Sequence, residues 1–246
     1  METGMNLWIV VAVVIESMAC LGILGILVEK NTRPAFLAGF NTMLLVTGTY
    51  VLYSPQLNAR AIAVLAMVAV YLVRMNWLLL AWQKYTAVPK LNRKLSASEK
   101  YFLSFILANI VGWGYCLPFY FAVMQKKPLD TSDLFAFAVY VAGTIIHFGS
   151  DYQKQRFKRS LGSKGKLLKT GFWALCRHPN YFGDFLIYVA FGLIGHSIWG
   201  WISPLLNLLQ YLFDAIPKNE KWAAERYGND WQEYAGRTKR LIPYIY

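Results

Sequence analysis

Charge is scarce in this sequence. Only 15% of its 246 residues are charged, against about a quarter in soluble domains. Acid is scarcer still: 13 Asp and Glu stand against 25 Lys and Arg, for a net charge of +12. Cysteine and histidine number three each. Cys20, Cys116 and Cys176 form no Cys-x-x-Cys pair, and His147, His178 and His196 are far apart along the chain. These spacings argue against a disulfide scaffold and give no metal-ligand cluster. No Walker loop occurs, and no Gly-x-Gly-x-x-Gly run joins a strand to a helix. No serine or cysteine has a base at a recognisable spacing, so nucleophilic hydrolysis is unsupported. Internal repeats and low-complexity tracts are also missing.

What is abundant is apolar surface. Hydrophobic residues make up 57% of the chain and fall in long runs with at most one charge inside each, the pattern of helices that meet lipid. The runs are Leu7 to Val28, Pro34 to Leu52, Ala61 to Leu80, Tyr101 to Met124, Leu134 to Phe148, Tyr181 to Ile202 and, after Pro204, Leu205 to Ile216. They predict an all-α, polytopic membrane helical bundle of about seven transmembrane helices. The residues before Leu7 carry no basic stretch, so the first run reads as a membrane helix rather than a cleaved signal. Lys218 to Gly236 mixes Trp222, Tyr227, Trp231 and Tyr234 with charges and suits a helix in the interface plane or a lid over the bundle.

The positive charge lies between the runs. Lys84, Lys90, Arg93, Lys94 and Lys100 share one link, the segment 150–180 is rich in Lys and Arg, and so is the tail. The positive-inside rule puts all three in the cytoplasm, with the C-terminus of an inner-membrane protein on that side. The cations then face anionic lipid headgroups and an anionic cofactor rather than nucleic acid. No obligate protein partner is evident.

Three polar clusters stand out. Tyr71 and Arg74 lie inside the third run, on one helical face. A guanidinium at that depth is expensive unless it meets a cavity, a carboxylate or an anion. It serves either a buried hydrogen-bond network or an active cavity. Glu29 closes the first run beside Lys30 and Arg33. It either pairs with them or turns inward to hold a polar substrate group. The third cluster is the densest. Asp151, Lys154, Gln155 and Lys158 share a helical face, Lys164 and Lys166 follow in a glycine-containing turn, and Arg177-His178-Pro179-Asn180-Tyr181-Phe182-Gly183-Asp184 ends the stretch. This is a basic cup for phosphates, or else a solvated face against headgroups.

The run from Ser150-Asp151-Tyr152-Gln153-Lys154, through Phe157-Lys158, Gly165-Lys166 and Thr170-Gly171-Phe172-Trp173, to Arg177–Asp184 resembles the C-terminal region of membrane sterol and steroid reductases. So does the tail, Glu225-Arg226-Tyr227-Gly228 with Trp231, Tyr234 and Leu241-Ile242-Pro243. The resemblance covers roughly residues 145–246. It implies a single membrane domain, 1–246, in which the spans of 1–124 form a substrate cavity and 132–246 bind the cofactor in a cytoplasmic pocket. The activity it implies is NADPH-dependent reduction of a carbon–carbon double bond in a steroid, sterol or other lipid-like enone. Arg74, Asp151, Lys158, Lys166, Arg177, His178, Asn180, Tyr181, Asp184, Tyr227 and Tyr234 would line the cofactor pocket, with Asn180 on the nicotinamide amide. Tyr71 and Glu29 would be the catalytic pair that polarises a carbonyl or supplies the proton. No metal enters the scheme. Val28 and Ala223 stand where the steroid 5-alpha-reductase branch has glutamine and histidine, and the tail leans toward the sterol C14- and C7-reductase branch. Membrane methyltransferases that use S-adenosylmethionine carry a similar Arg-His-Pro-x-Tyr-x-Gly run and are the alternative.

Overall fold

A computed structural model describes residues 6–82, 88–163 and 165–246. Lys84 and Lys164, counted above among the cations, lie outside the described residues, as does the side chain of Lys90. The chain is all-α among the described residues and forms two compact units, Met1–Asp133 with Phe191–Ser203, and Leu134–Ala190 with Pro204–Tyr246. Among the described residues, five helical stretches are long and apolar enough to cross a membrane: Leu7–Glu29, Arg33–Leu52, Ala59–Ala81, Ala97–Met124 and Thr131–Arg159. The protein is an integral, polytopic membrane helical bundle.

The first unit holds α1 (Leu7–Glu29), α2 (Arg33–Leu52), α3 (Ala59–Ala81), α4 (Val88–Lys94), α5 (Ala97–Asn109) and α6 (Leu117–Met124). Local chemistry starts these helices. Asn6 accepts from the Trp8 amide, Pro34 opens α2, Asn58 accepts from the Ala61 amide, and Ser96 and Glu99 close a capping box on α5. Small residues then let helices meet closely, as bundles in lipid require. A Cβ on Gly22 of α1 would lie 2.1 Å from Ser104 Oγ and 3.1 Å from the Ala38 Cβ. Ser104 instead donates to the Ala19 carbonyl at 3.0 Å.

The fourth apolar run is not one regular helix. A π segment, Ile110–Tyr115, joins α5 to α6. Pro118 brings no amide hydrogen to the first turn of α6, and the Cys116 amide reaches back five residues to the Val111 carbonyl. At one end of this unit Arg60 is 1% exposed. Its guanidinium clasps Asp133 at 2.9 and 2.6 Å and donates to the Lys127 and Pro128 carbonyls. His196 Nε2 lies 2.9 Å from Asp133 Oδ1, the oxygen that also accepts from Arg60 Nε. Arg60 escaped the sequence reading because it precedes the apolar run by one residue and its partner is far along the chain.

The second unit is built on α7 (Thr131–Arg159, from Leu134 onward), α8 (Phe172–Leu175), α9 (Pro179–Ile194, to Ala190), α10 (Ile202–Gln210, from Pro204), α11 (Ile216–Tyr227) and α12 (Asn229–Arg237). The fifth run continues as helix well past Phe148, to Arg159. The expected sixth span, Tyr181 to Ile202, instead ends at Ile194, where Gly195 and a left-handed His196 (φ 48°) turn the chain. Pro204 does not break a helix; it lies in the first turn of α10, where its missing amide costs nothing. The tail also divides, because Gly228 (φ 51°) separates α11 from α12.

Two glycines set the crossing of α7 and α9. A Cβ on Gly183 would lie 2.3 Å from the His147 amide nitrogen, and one on Gly143 would lie 2.7 Å from the Gly183 carbonyl. Backbone atoms cannot yield as side chains do. Gly183→Ala is therefore expected to lower the thermal unfolding midpoint of the detergent-purified protein and cost about 1–3 kcal/mol. Gly48→Ala meets nothing within 4 Å and is expected to leave the midpoint unchanged or raise it. Equal behaviour of the two variants would contradict this account of the crossing.

Candidate functional site

The candidate residues divide between the two units. Tyr71, Arg74 and Glu29 belong to the first. Tyr71 and Arg74 are buried on α3. The Tyr71 ring meets Phe191 edge-on at 6.3 Å, and the Arg74 guanidinium lies 5.7 Å from the Trp82 ring. Glu29 is exposed at the end of α1, where its Oε2 pairs with Arg33 at 2.8 Å and accepts from Asn31 at 3.1 Å.

The remaining candidates belong to the second unit, and a rigid local frame holds them. Gly171 adopts φ 64°, and a Cβ there would meet the Gln153 amide at 2.1 Å. That space lets Gln153 clamp the turn from both sides, donating to the Thr170 carbonyl at 2.9 Å and accepting from the Phe172 amide at 3.1 Å. Trp173 is buried and donates to the Ser150 carbonyl at 3.2 Å, and Lys154 Nζ sits 4.6 Å from its ring centroid. The buried Tyr234 hydroxyl caps the same turn by donating to the Trp173 carbonyl. α8 is thus pinned to α7 and α12 by side chains.

Arg177 and His178 converge on Glu220 of α11. Arg177 Nε donates to Glu220 Oε1 at 2.8 Å, and its Nη1 donates to the Ala235 and Thr238 carbonyls at 2.7 and 3.0 Å. His178 Nε2 is 3.4 Å from the same oxygen, and Arg240 Nε is 3.2 Å from Oε2. Burial pushes the His178 imidazole below its ordinary value, against the pull of Glu220. Burial alone would raise Glu220, but the His178 contact and the Arg177 and Arg240 charges hold its carboxyl below the usual range.

At the start of α9, Asn180 is half-buried and its amide has no partner among the described residues. Tyr181 accepts a hydrogen bond from Asn219 Nδ2 at 2.7 Å. Asp184 is buried, accepting from Asn207 at 3.0 Å and Tyr211 at 2.5 Å, with His147 Nδ1 3.4 Å from its other oxygen. Lys158 and Lys166 are exposed and Asp151 is half-buried. Lys158 shares its field with Lys154, Asp151 and Arg226, and Arg226 lies 5.7 Å from the Tyr227 ring. A groove of about 540 Å³ lies nearby, lined by Gly149, Tyr152, Gln153, Arg156, Gly171, Phe172 and Leu175. It includes none of the expected cofactor residues.

Glu220, Gln153, Asn207, Tyr211 and His147 did not emerge from the sequence as site residues. Glu220 sits in a charged stretch that reads as surface. Tyr211 and Asn207 are embedded in an apolar run, where the polar side chains themselves were the available signal.

A family model described as a protein of unknown function, DUF1295, matches residues 22–238. The chain is 29% identical over 160 residues to a Delta(14)-sterol reductase of Mus musculus, covering 55% of this chain and 36% of that protein. It is 26% identical over 171 residues to a 7-dehydrocholesterol reductase of Danio rerio, covering 55% and 36%. It is 31% identical over 124 residues to a Delta(14)-sterol reductase of Arabidopsis thaliana, covering 44% and 32%. The chain thus spans about a third of the length of the relatives it matches.

The Glu220 latch carries a pH signature. Both folded-state values are depressed, so the unfolded chain binds more protons as pH falls through the ordinary histidine value of 6.5 and then the ordinary glutamate value of 4.5. Stability supplied by the latch is full above 6.5 and is lost on acidification. Glu220→Gln is expected to cost about 2 kcal/mol at neutral pH and to flatten the slope of unfolding midpoint against pH below the ordinary glutamate value of 4.5, where the carboxyl titrates. An unchanged slope in that variant would exclude the latch as its source.

Proposed function

This chain belongs to the DUF1295 family, and on that premise we propose that it is an NADPH-dependent membrane reductase that saturates a carbon–carbon double bond in a steroid, sterol or similar hydrophobic enone. One observation carries the reading. Asp151, Lys154 and Lys158 follow one another at helical spacing on the last turns of α7, with Arg226 as a further cation close enough to share their field. Cations kept together in this way are relieved by an anion, and a dinucleotide phosphate is an anion of the right kind. Exposed Lys166 adds a further donor. The uncommitted Asn180 amide offers a donor and an acceptor, the pair that a carboxamide such as that of nicotinamide accepts. The donor set therefore fits the cofactor.

In this proposal Lys158, Lys166 and Arg226 bind the phosphate end. Asp151, Tyr181, Asp184, Tyr227 and Tyr234 line the pocket, held by Arg177 and His178, and Asn180 orients the nicotinamide. NADPH, when bound, supplies a hydride to the electron-poor alkene carbon. Tyr71 polarises the conjugated carbonyl or delivers the proton to the neighbouring carbon, with Glu29 assisting and Arg74 favouring its phenolate. Hydride and proton together leave NADP⁺ and the saturated product. The apolar spans admit the substrate from the bilayer and exclude water from the reacting carbons. We read α9, and α10 with its continuation, as further crossings that complete seven, with the cofactor pocket, the basic links and the C-terminus in the cytoplasm.

Calorimetry on the purified protein separates this reading from the methyltransferase alternative. NADPH is expected to bind and S-adenosylmethionine is not; binding of S-adenosylmethionine alone would overturn the proposal. Lys158→Ala and Lys166→Ala are each expected to weaken NADPH by about tenfold. With 3-oxo-Δ4 steroids and Delta(14)-sterols as substrates, Tyr71→Phe is expected to cut NADPH oxidation by about a hundredfold without altering the NADPH Kd. A wholly unaffected rate would remove the tyrosine from the mechanism.

A further inference from the structure

Three rings stack at the entry to α9. His178 lies on Tyr181 with centroids 5.4 Å apart and planes 7° from parallel, and Tyr181 lies on Tyr211 at 4.4 Å and 12°. Asn180 sits between the first two in the chain. The stack is tied at each level: His178 to Glu220, Tyr181 to Asn219, and Tyr211 to Asp184. Asp184 does not move easily, because it is 4% exposed and bounded by Asn207 of α10 and His147 of α7 as well.

Helix first turns fray, since their amides lack intrahelical acceptors. An Asn180 amide without a partner cannot aim itself, so its direction is set by the rigidity of its neighbours. Tyr181 is confined between two rings, and the outer ring, Tyr211, is the one fixed to a buried carboxylate. Tyr211 also begins a π turn, Tyr211–Ala215. The extra residue shifts the helical phase of everything that follows, including Asn219 and Glu220, which tie the other two rings.

We infer that Tyr211 is a positioning residue of the cofactor site: anchored by Asp184, it fixes the plane of Tyr181 and so the direction in which α9 presents Asn180. This rests on the reductase reading. The Tyr211 side chain acts on the nicotinamide end, since Lys158 and Lys166 lie on other elements and Arg226 lies near the far end of α11.

The test compares two ligands. NADPH carries both ends of the dinucleotide, whereas adenosine 2′,5′-bisphosphate carries phosphates and no nicotinamide. Tyr211→Leu, which removes the ring, is expected to raise the NADPH Kd about tenfold and to leave the bisphosphate Kd within about twofold. Tyr211→Phe keeps the stack and loses the Asp184 bond, and is expected to weaken NADPH about threefold with the same selectivity. Should the leucine variant fail to fold, the phenylalanine variant still decides the matter. Unchanged NADPH affinity in the phenylalanine variant, or an unchanged or equally weakened pair of affinities in the leucine variant, would overturn the inference alone. Failure of the wild-type protein to bind NADPH would overturn the reductase reading and the inference with it.

Discussion

Glu220 gathers two arginines and a histidine onto one carboxylate, and the arrangement of the last thirty or so residues follows from that contact. Arg177 precedes α9 and Arg240 follows α12, so one acid on α11 ties the entry of a helix to the end of the chain. The Arg177 amide adds a bond of 2.8 Å to the Lys239 carbonyl. A half-buried carboxylate surrounded by donors is stable as a unit and costly to dismantle, because loss of the acid strands the cations it served. The same economy operates elsewhere. With 13 acids against 25 Lys and Arg in the whole chain, buried carboxylates become hubs: Asp184 for Tyr211, Asn207 and His147, and Asp133 for Arg60 and His196.

These hubs also sort the cations. Arg177, which reads in the sequence as a phosphate ligand, spends its guanidinium on Glu220 and two carbonyls. Arg60 is spent on Asp133. Among the described residues Lys166 and Arg226 make no ion pair with a carboxylate, and Lys158 shares its field with Asp151. The division between cations clasped by buried acids and cations on exposed side chains is what turns a net positive charge into a reading about a cofactor. Association with lipid headgroups alone would not require an Asn180 amide without a partner among the described residues, or a clamped turn at Gly171.

Much of the fold was legible because hydropathy acts locally. Each of the five long spans begins or ends within a few residues of its apolar run; an asparagine, serine or proline starts four of them, and the Asp130 carboxylate takes the first amides of the fifth. What escaped were features decided between segments. Whether Pro204 breaks or begins a helix depends on the turn at Gly195–His196 before it. Whether Arg60 is buried depends on an acid seventy-three residues later. The motif from Arg177 to Asp184 announced itself by density of hydrogen-bonding groups. The partners that orient it did not, since Glu220 looks like one charge among many on an exposed helix, and Tyr211 looks like one more aromatic in an apolar run.

The central claim is that the second unit holds a phosphorylated dinucleotide between its cations and the first turn of α9. Hydrogen–deuterium exchange with and without NADPH tests it most directly. The account predicts slower exchange across residues 151–184 and 219–234 when NADPH is added, with the Arg60–Asp133 region unchanged. Identical exchange in the two conditions, at NADPH concentrations that saturate known dinucleotide enzymes, would contradict it.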